Sequence, residues 1–132
     1  MKASDIMDQI NPLSIGCSVA EASDILQRHD ADFLPVIDEE EKFAGVLSKD
    51  SLLREVLRGL TPNAGIRDCL DQDIPCVQFD TELDKSLIGR HGAVVLDDDN
   101  QVLGIIRNID IIQAFRSNID DLQDRMYAVI ES

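Results

Sequence analysis

A stretch of twelve residues, VIDEEEKFAGVL from Val36 to Leu47, returns in almost the same form as VLDDDNQVLGII from Val95 to Ile106. Each copy begins with aliphatic residues and an Asp, passes through a polar turn, and enters a second aliphatic run through a Gly. Two apolar runs joined by a short polar turn are typical of a β-hairpin. The repeat therefore predicts two hairpins, each in one copy of the same structural unit.

The hairpin turns are strongly acidic, with the sequence DEEE at residues 38–41 and DDDN at residues 97–100. Neither cluster contains the Gly that a calcium-binding loop needs for its sharp turn. Asp and Asn are common in turns because they tolerate turn geometry. The three Cys and two His also lack the spacing of zinc ligands. We therefore predict solvated turns and no metal site.

Helix signals flank both hairpins. Ser18 and Glu21 have the spacing of a capping box ahead of the first hairpin, and Ser48 can cap a helix after it. Thr81 and Asn108 stand in the corresponding places of the second copy. The predicted unit is therefore short helix, strand, helix, strand, strand, helix, written twice.

The repeat divides the chain into a first copy at residues 1–60, a linker at 61–64, a second copy at 65–116 and a C-terminal helix at 117–132. The second copy is shorter ahead of its hairpin, so its first helix is expected to be stunted or replaced by a loop. Neither copy can bury its sheet alone. We predict an α/β (α+β) fold in which a pseudo-twofold pair of β-α-β-β-α units packs its sheets face to face.

The C-terminal segment carries Ile119, Leu122, Met126 and Val129 at the a/d spacing of a coiled coil, for fewer than two heptads. One interpretation is a helix that packs back on its own module. The other is a signalling helix that pairs across a dimer and leads into an effector domain. On the second interpretation the chain is the sensor portion of a longer protein.

The charge balance limits the kinds of partner. With 26 acidic and 12 basic residues the net charge is −14, and such a field repels nucleic acid. No apolar run reaches the roughly 20 residues that span a membrane, and the N-terminus lacks the apolar stretch of a signal peptide. No nucleophile–base pair or Gly-rich phosphate loop is present. We expect a cytoplasmic protein that is not an enzyme and binds neither nucleic acid nor membrane.

The stretches FLPVIDEEEKFAGVLSKDSLL, from Phe33, and AVVLDDDNQVLGIIRNIDII, from Ala93, resemble two cystathionine-beta-synthase (CBS) domains in tandem, the pair called a Bateman module. The resemblance implies two clefts between the sheets that bind an adenosine-type nucleotide, with AMP, ADP, ATP or S-adenosylmethionine as a regulatory ligand and no required cofactor. It also implies a homodimer that signals to an attached or partner effector domain. The alternative is a dimerisation or scaffold module with degenerate, empty clefts.

The family's Gly-x-x-Thr/Ser-x-x-Asp element starts a helix, and its hydroxyl and carboxylate share one helix face because the period is 3.6 residues. Both copies depart from it. The first keeps the hydroxyl at Ser48 but has Ser51 in the carboxylate position, and Asp50 is rotated by about 100° around the helix. The second has Asp110 in place, but Arg107 replaces the hydroxyl. Either Arg107 clamps a phosphate, or it folds over Asp110 as a salt bridge and fills the cleft.

The resemblance also places an adenine pocket just before the first strand of each hairpin. Its residues by position are Asp32, Phe33, Leu34 and Pro35 in the first copy, and His91, Gly92 and Ala93 in the second. Phe33 either stacks on a base or belongs to the core. His91 either contacts a phosphate or is an exposed turn residue.

Overall fold

The computed structural model describes residues 1–29, 32–84 and 91–116. Its elements in chain order are α1 (Ala3–Ile6), β1 (Leu13–Ser14), α2 (Val19–His29), β2 (Phe33–Ile37), β3 (Phe43–Ser48), α3 (Lys49–Leu57), a 3-10 turn (Arg67–Cys69), β4 (Cys76–Gln78), β5 (Gly92–Leu96), β6 (Val102–Arg107) and α4 (residues 108–116). The C-terminal helix predicted at 117–132 lies outside the described residues. So do residues 85–90, on which most of the shortened second-copy helix was predicted.

Two three-stranded sheets share one topology. In the first, β1 is parallel to β2 and β2 is antiparallel to β3, and β4, β5 and β6 repeat this arrangement. The registers also correspond, because Phe33 pairs with Ser48 and Gly92 pairs with Arg107. The predicted α+β fold with two equivalent sheets is confirmed.

The acidic turns are held by their own side chains. Asp38 Oδ1 accepts the backbone N–H groups two and four residues later, at 2.8 and 3.0 Å. Asp97 Oδ1 does the same at 2.8 and 2.9 Å. Each turn then passes through a left-handed residue, Glu41 with φ +63° and Asn100 with φ +64°. The carboxylates that begin the two clusters therefore shape the hairpins.

Side-chain caps start α2 and α3 of the first repeat. The Glu21 N–H donates to Ser18 Oγ at 3.2 Å, as the spacing predicts. The Glu21 carboxylate does not complete the box; it accepts from the Cys17 thiol at 3.7 Å instead. At α3 the Ser48 cap is complete in both directions.

The leading segment of each repeat packs on the sheet of the other. Ala3, at the start of α1, is fully buried against the second sheet. Ile66, just before the 3-10 turn, is fully buried in the core of the first repeat. The two repeats therefore share an interior, since each completes the other's core.

This exchange is held by two matched sets of backbone hydrogen bonds. Asp8 and Ile105 exchange bonds of 2.8 and 3.0 Å, and Asp71 and Val46 exchange bonds of 3.0 and 2.7 Å. Because Val46 and Ile105 occupy the same place in the repeated hairpin, the two crossings are related by the pseudo-twofold axis.

The Gly in each repeated stretch lies under a crossing. A Cβ at Gly104 would stand 2.6 Å from the Asp8 carbonyl oxygen, and a Cβ at Gly45 would stand 2.9 Å from Gln72 Nε2. Both positions therefore need a residue that lets another segment approach closely.

The sheets meet face to face around an apolar centre. This cluster draws Phe33 and Val46 from the first sheet and Val94, Leu96 and Ile105 from the second. Phe33 is only 1 % exposed. Its ring is thus part of the core between the sheets.

The helices that follow the hairpins bury little of their apolar surface. On α3, Leu52 is buried, whereas Leu53, Val56 and Leu57 are exposed. On α4, Ile109, Ile112 and Phe115 are exposed. We call these six exposed side chains the helical apolar surface.

Candidate functional site

Two clefts lie where the leading segment of one repeat crosses the helix start of the other. The first cleft has a volume of about 220 Å³ and the second about 280 Å³. The first is lined by Phe33, Val46, Ser48, Asp50, Arg54, Asp71, Asp73, Ile74 and His91. The second is lined by Asp8, Gln9, Ile10, Asn11, His29, Ile105 and Arg107. Each cleft thus has walls from both repeats.

In the first cleft, the two predicted hydroxyls are bound to each other's backbone. Ser48 Oγ accepts the Ser51 N–H at 3.0 Å, and Ser51 Oγ accepts the Ser48 N–H at 3.2 Å. Ser51 Oγ also donates to the Ser48 carbonyl at 3.1 Å. Ser48 still lines the first cleft, whereas Ser51 lines a neighbouring groove. The helix cap is therefore the established role of both side chains here.

Asp50 supplies a carboxylate to the first cleft, although the spacing had placed it off the binding face. Ser51 is the third residue of α3, and its side chain is directed back to the Ser48 backbone, where it completes the helix cap. The side chain one residue earlier faces the cleft instead. Asp50 Oδ2 lies 3.6 Å from Nε2 of His91, which belongs to the other repeat. The two residues face each other across the cleft.

The first cleft is acidic overall. Asp50, Asp71 and Asp73 contribute carboxylates, against the guanidinium of Arg54 and the imidazole of His91. Arg54 lies one helical turn after Asp50, so both project on the same side of α3. Within the described ranges no carboxylate is paired with Arg54.

Sequence reasoning did not assign four of these charged residues to the site, namely Asp50, Arg54, Asp71 and Asp73. The i, i+4 spacing of Asp50 and Arg54 is a signal that both share a helix face. The repeated Asp-Gln pair after each leading segment, at residues 8–9 and 71–72, is a second signal. The spacing alone does not reveal that these pairs cross to the other repeat's cleft.

In the second cleft Arg107 is paired with Asp110. The guanidinium donates from Nε to Asp110 Oδ2 at 3.0 Å and from Nη2 to Oδ1 at 2.7 Å, and the Arg107 backbone N–H donates to Oδ2 at 2.8 Å. Nη2 also lies 3.8 Å from Asp8 Oδ2. The hydrogen bonds to Asp110 raise the pKa of the Arg107 guanidinium above its ordinary value. The structure contains the salt bridge that one of the two predicted arrangements requires, but Arg107 does not fill the cleft, which keeps a volume of about 280 Å³.

Some of the residues predicted for an adenine pocket line a cleft, whereas others are buried in the cores of the repeats. Phe33 and His91 line the first cleft. The side chains of Leu34 and Ala93 lie in the cores of their repeats, because successive side chains of a strand point to opposite faces. Pro35 is fully buried, and a Cβ at Gly92 would collide with the Ile106 carbonyl oxygen. These four residues are not among those that line either cleft.

In the described ranges, His, Cys, Asp and Glu side chains form no group of three that could hold a metal ion. Over the same ranges, none of the helices combines the length and the apolar character that crossing a bilayer requires.

Comparison by sequence finds a family model and a relative. Residues 3–58 match the model described as CBS domain. Over 101 residues the chain is 26 % identical to inosine-5'-monophosphate dehydrogenase of Methanocaldococcus jannaschii, with 73 % of this chain and 20 % of that protein covered. The chain therefore spans about a fifth of the length of that relative.

Comparison by structure finds a CBS domain pair and other proteins of similar size. A putative acetoin utilization protein (AcuB) from Vibrio cholerae has a TM-score of 0.78 and 21 % identity, covering 95 % of this chain and 96 % of its own. The CBS domain pair of protein MJ0100, in complex with 5'-methylthioadenosine and S-adenosyl-L-methionine, has a TM-score of 0.74 and 23 % identity, covering 89 % and 98 %. CbpB in complex with c-di-AMP has a TM-score of 0.77 and 17 % identity, covering 95 % and 91 %. At these identities the likeness establishes a shared fold.

Proposed function

Since this chain carries a CBS domain at residues 3–58 and has the fold of a tandem CBS domain pair, we propose that it is a regulatory binding module. In this proposal an adenosine-type ligand binds in the first cleft, and the bound state is signalled to an attached or partner effector domain. The module itself carries out no catalysis.

The observation that carries the proposal is the composition of the first cleft. Asp50 comes from the first repeat and His91 from the second, and they stand 3.6 Å apart across it. Ile74 provides a partly exposed apolar wall, and the Asp50 carboxylate can accept the hydroxyl groups of a ribose. A ligand that contacts both repeats stabilises one arrangement of them over others, which is the requirement for a signal.

The charges of the first cleft favour some adenosine compounds over others. A phosphate introduced beside three carboxylates meets repulsion of about 1 kcal/mol per pair at 4 Å in water, and more where solvent is excluded. Arg54 and His91 offset only part of this. We therefore expect uncharged or cationic compounds, such as 5'-methylthioadenosine and S-adenosylmethionine, to bind better than ADP or ATP. The neighbouring complex with those two compounds supports this expectation.

A thermal-melting panel tests the proposal. The panel contains 5'-methylthioadenosine, S-adenosylmethionine, AMP, ADP, ATP and c-di-AMP. A ligand at a hundredfold excess over its Kd stabilises the folded state by about 2.7 kcal/mol, which gives a clear shift in Tm. The substitution Asp50→Asn should reduce the shift. Asp98→Asn is the matched control, because it removes the same charge at an exposed turn away from both clefts. No shift with any of the six compounds would contradict the proposal.

The helical apolar surface favours a second function, that of a dimerisation module. Exposed apolar side chains on two helices are typical of a surface that another protein covers. We propose a homodimer in which the partner covers this surface, including the exposed side chains of Leu53 and Ile112. Leu53→Glu should give a monomer in sedimentation velocity, whereas Asn63→Glu, at an exposed position outside the surface, should leave the dimer intact. A chain that is monomeric without substitution would refute this second function.

A further inference from the structure

We infer that Arg107 withholds the Asp110 carboxylate from ligands, so that each chain binds one adenosine-type ligand, in the first cleft only. The inference rests on the proposed function, because it concerns which of the two clefts accepts a ribose. In this inference, the guanidinium of Arg107 binds the Asp110 carboxylate in place of a ligand.

The first step is the saturation of the Asp110 carboxylate. A carboxylate offers about four acceptor positions, and Arg107 alone fills three of them from Nε, Nη2 and its backbone N–H. The Asp110 side chain is only 10 % exposed. Arg107 lines the second cleft, whereas Asp110 does not. A ribose diol would therefore have to displace a bidentate charge-assisted pair before it reached the carboxylate.

The second step concerns the guanidinium. Its charge is shared between Asp110 and Asp8, whose Oδ2 lies 3.8 Å from Nη2. A phosphate that approached Arg107 would meet both of these carboxylates. The arrangement thus opposes a phosphate clamp as well as a ribose site.

The third step is the comparison between the repeats. The Ser48 N–H donates to Ser51 Oγ, and the Arg107 N–H donates to Asp110 Oδ2, so the two pairs occupy equivalent places at a helix start. The first copy has no cation at this place. The substitution Arg107→Ser would give the second copy a hydroxyl followed three residues later by a carboxylate that keeps only its bond from the residue-107 backbone N–H. The inference therefore predicts a gain of binding from the loss of one side chain.

The experiment is a calorimetric titration with 5'-methylthioadenosine and, separately, with AMP. The unsubstituted protein should bind one molecule per chain, and Arg107→Ser should bind two. Arg67→Ser is the matched control, since Arg67 forms an exposed ion pair with Glu39 on the surface. It should keep one site. Two molecules per chain in the unsubstituted protein would overturn the inference while leaving the proposed function standing. One molecule in a folded Arg107→Ser variant would also overturn it, and Arg107→Gln replaces that variant if it fails to fold.

A second measurement needs no ligand. In nitrogen-15 NMR spectra at neutral pH, the Arg107 Nε–H should exchange with water more slowly than that of Arg67, because it donates to a nearly buried carboxylate. Asp110→Asn should remove this protection. If neither compound binds the unsubstituted protein or the Arg107→Ser variant, the proposed function fails, and this measurement alone decides whether Arg107 is held on Asp110. Exchange at Arg107 as fast as at Arg67 would overturn the inference.

Discussion

At the scale of single residues, helix capping decides which side chains at the start of α3 face the first cleft. Ser48 and Phe33 line that cleft, and so does His91, which the resemblance had placed in the pocket of the second copy. Asp50 was set aside because the family spacing points to residue 51, but the Ser51 hydroxyl caps the helix and Asp50 faces the cleft instead. The spacing of a ligand-binding motif does not show whether the side chain at a given position caps the helix instead.

Ser48 should therefore stabilise the protein whether or not a ligand binds. Ser48→Ala leaves the buried Ser51 N–H without its acceptor, and loss of an N-cap costs about 0.5–2 kcal/mol. Urea denaturation should show this loss in the free energy of unfolding. Ser4→Ala, at an exposed position of α1, is the control and should change stability little. Equal stability of both variants would show that the cap contributes nothing.

At the scale of elements, the order of helices and strands followed from the repeat, but the exchange of leading segments did not. Periodicity tells which face of an element is apolar, and it does not tell which sheet covers that face. Ala3 and Ile66 are buried in cores built largely by the other copy, at long separation in sequence. A Gly inside a strand, as at Gly45 and Gly104, is the local sign that another segment approaches closely.

Gly104→Ala tests this crossing. The added Cβ would stand 2.6 Å from the backbone oxygen of Asp8, which cannot rotate away as a side chain can. Overpacking of this kind costs about 1–3 kcal/mol. Hydrogen exchange of the Asp8 and Ile105 amides should become faster, because their paired backbone bonds are disturbed. Gly65→Ala is the matched control, since nothing lies within 4 Å of its Cβ, and unchanged exchange at Ile105 in Gly104→Ala would contradict the crossing.

At the scale of the whole molecule, the two repeats correspond in their backbone pairing but differ in the charged side chains of their clefts. Both crossings and both sheets correspond, yet one cleft gathers three carboxylates and the other pairs its Arg107 with Asp110. The repeated sequence was enough to predict the two equivalent sheets, but not the crossings. The asymmetric part depends on which side chains meet across the crossings, and the repeat alone does not contain that information.

The acidity of the first cleft predicts how the molecule selects its ligand. At low ionic strength, ATP should bind more weakly than 5'-methylthioadenosine, because the net charge of −14 and the three cleft carboxylates both repel the triphosphate. Added salt should narrow the difference, since it screens exposed charges at the Debye length of about 8–10 Å. Asp73→Asn should raise the affinity for ATP about threefold to tenfold, which corresponds to roughly 1 kcal/mol for one nearby charge, and leave 5'-methylthioadenosine unchanged. Asp98→Asn changes the net charge equally and serves as the control in the same titrations. ATP binding as tightly as 5'-methylthioadenosine in dilute buffer would show that the cleft carboxylates do not set the choice of ligand.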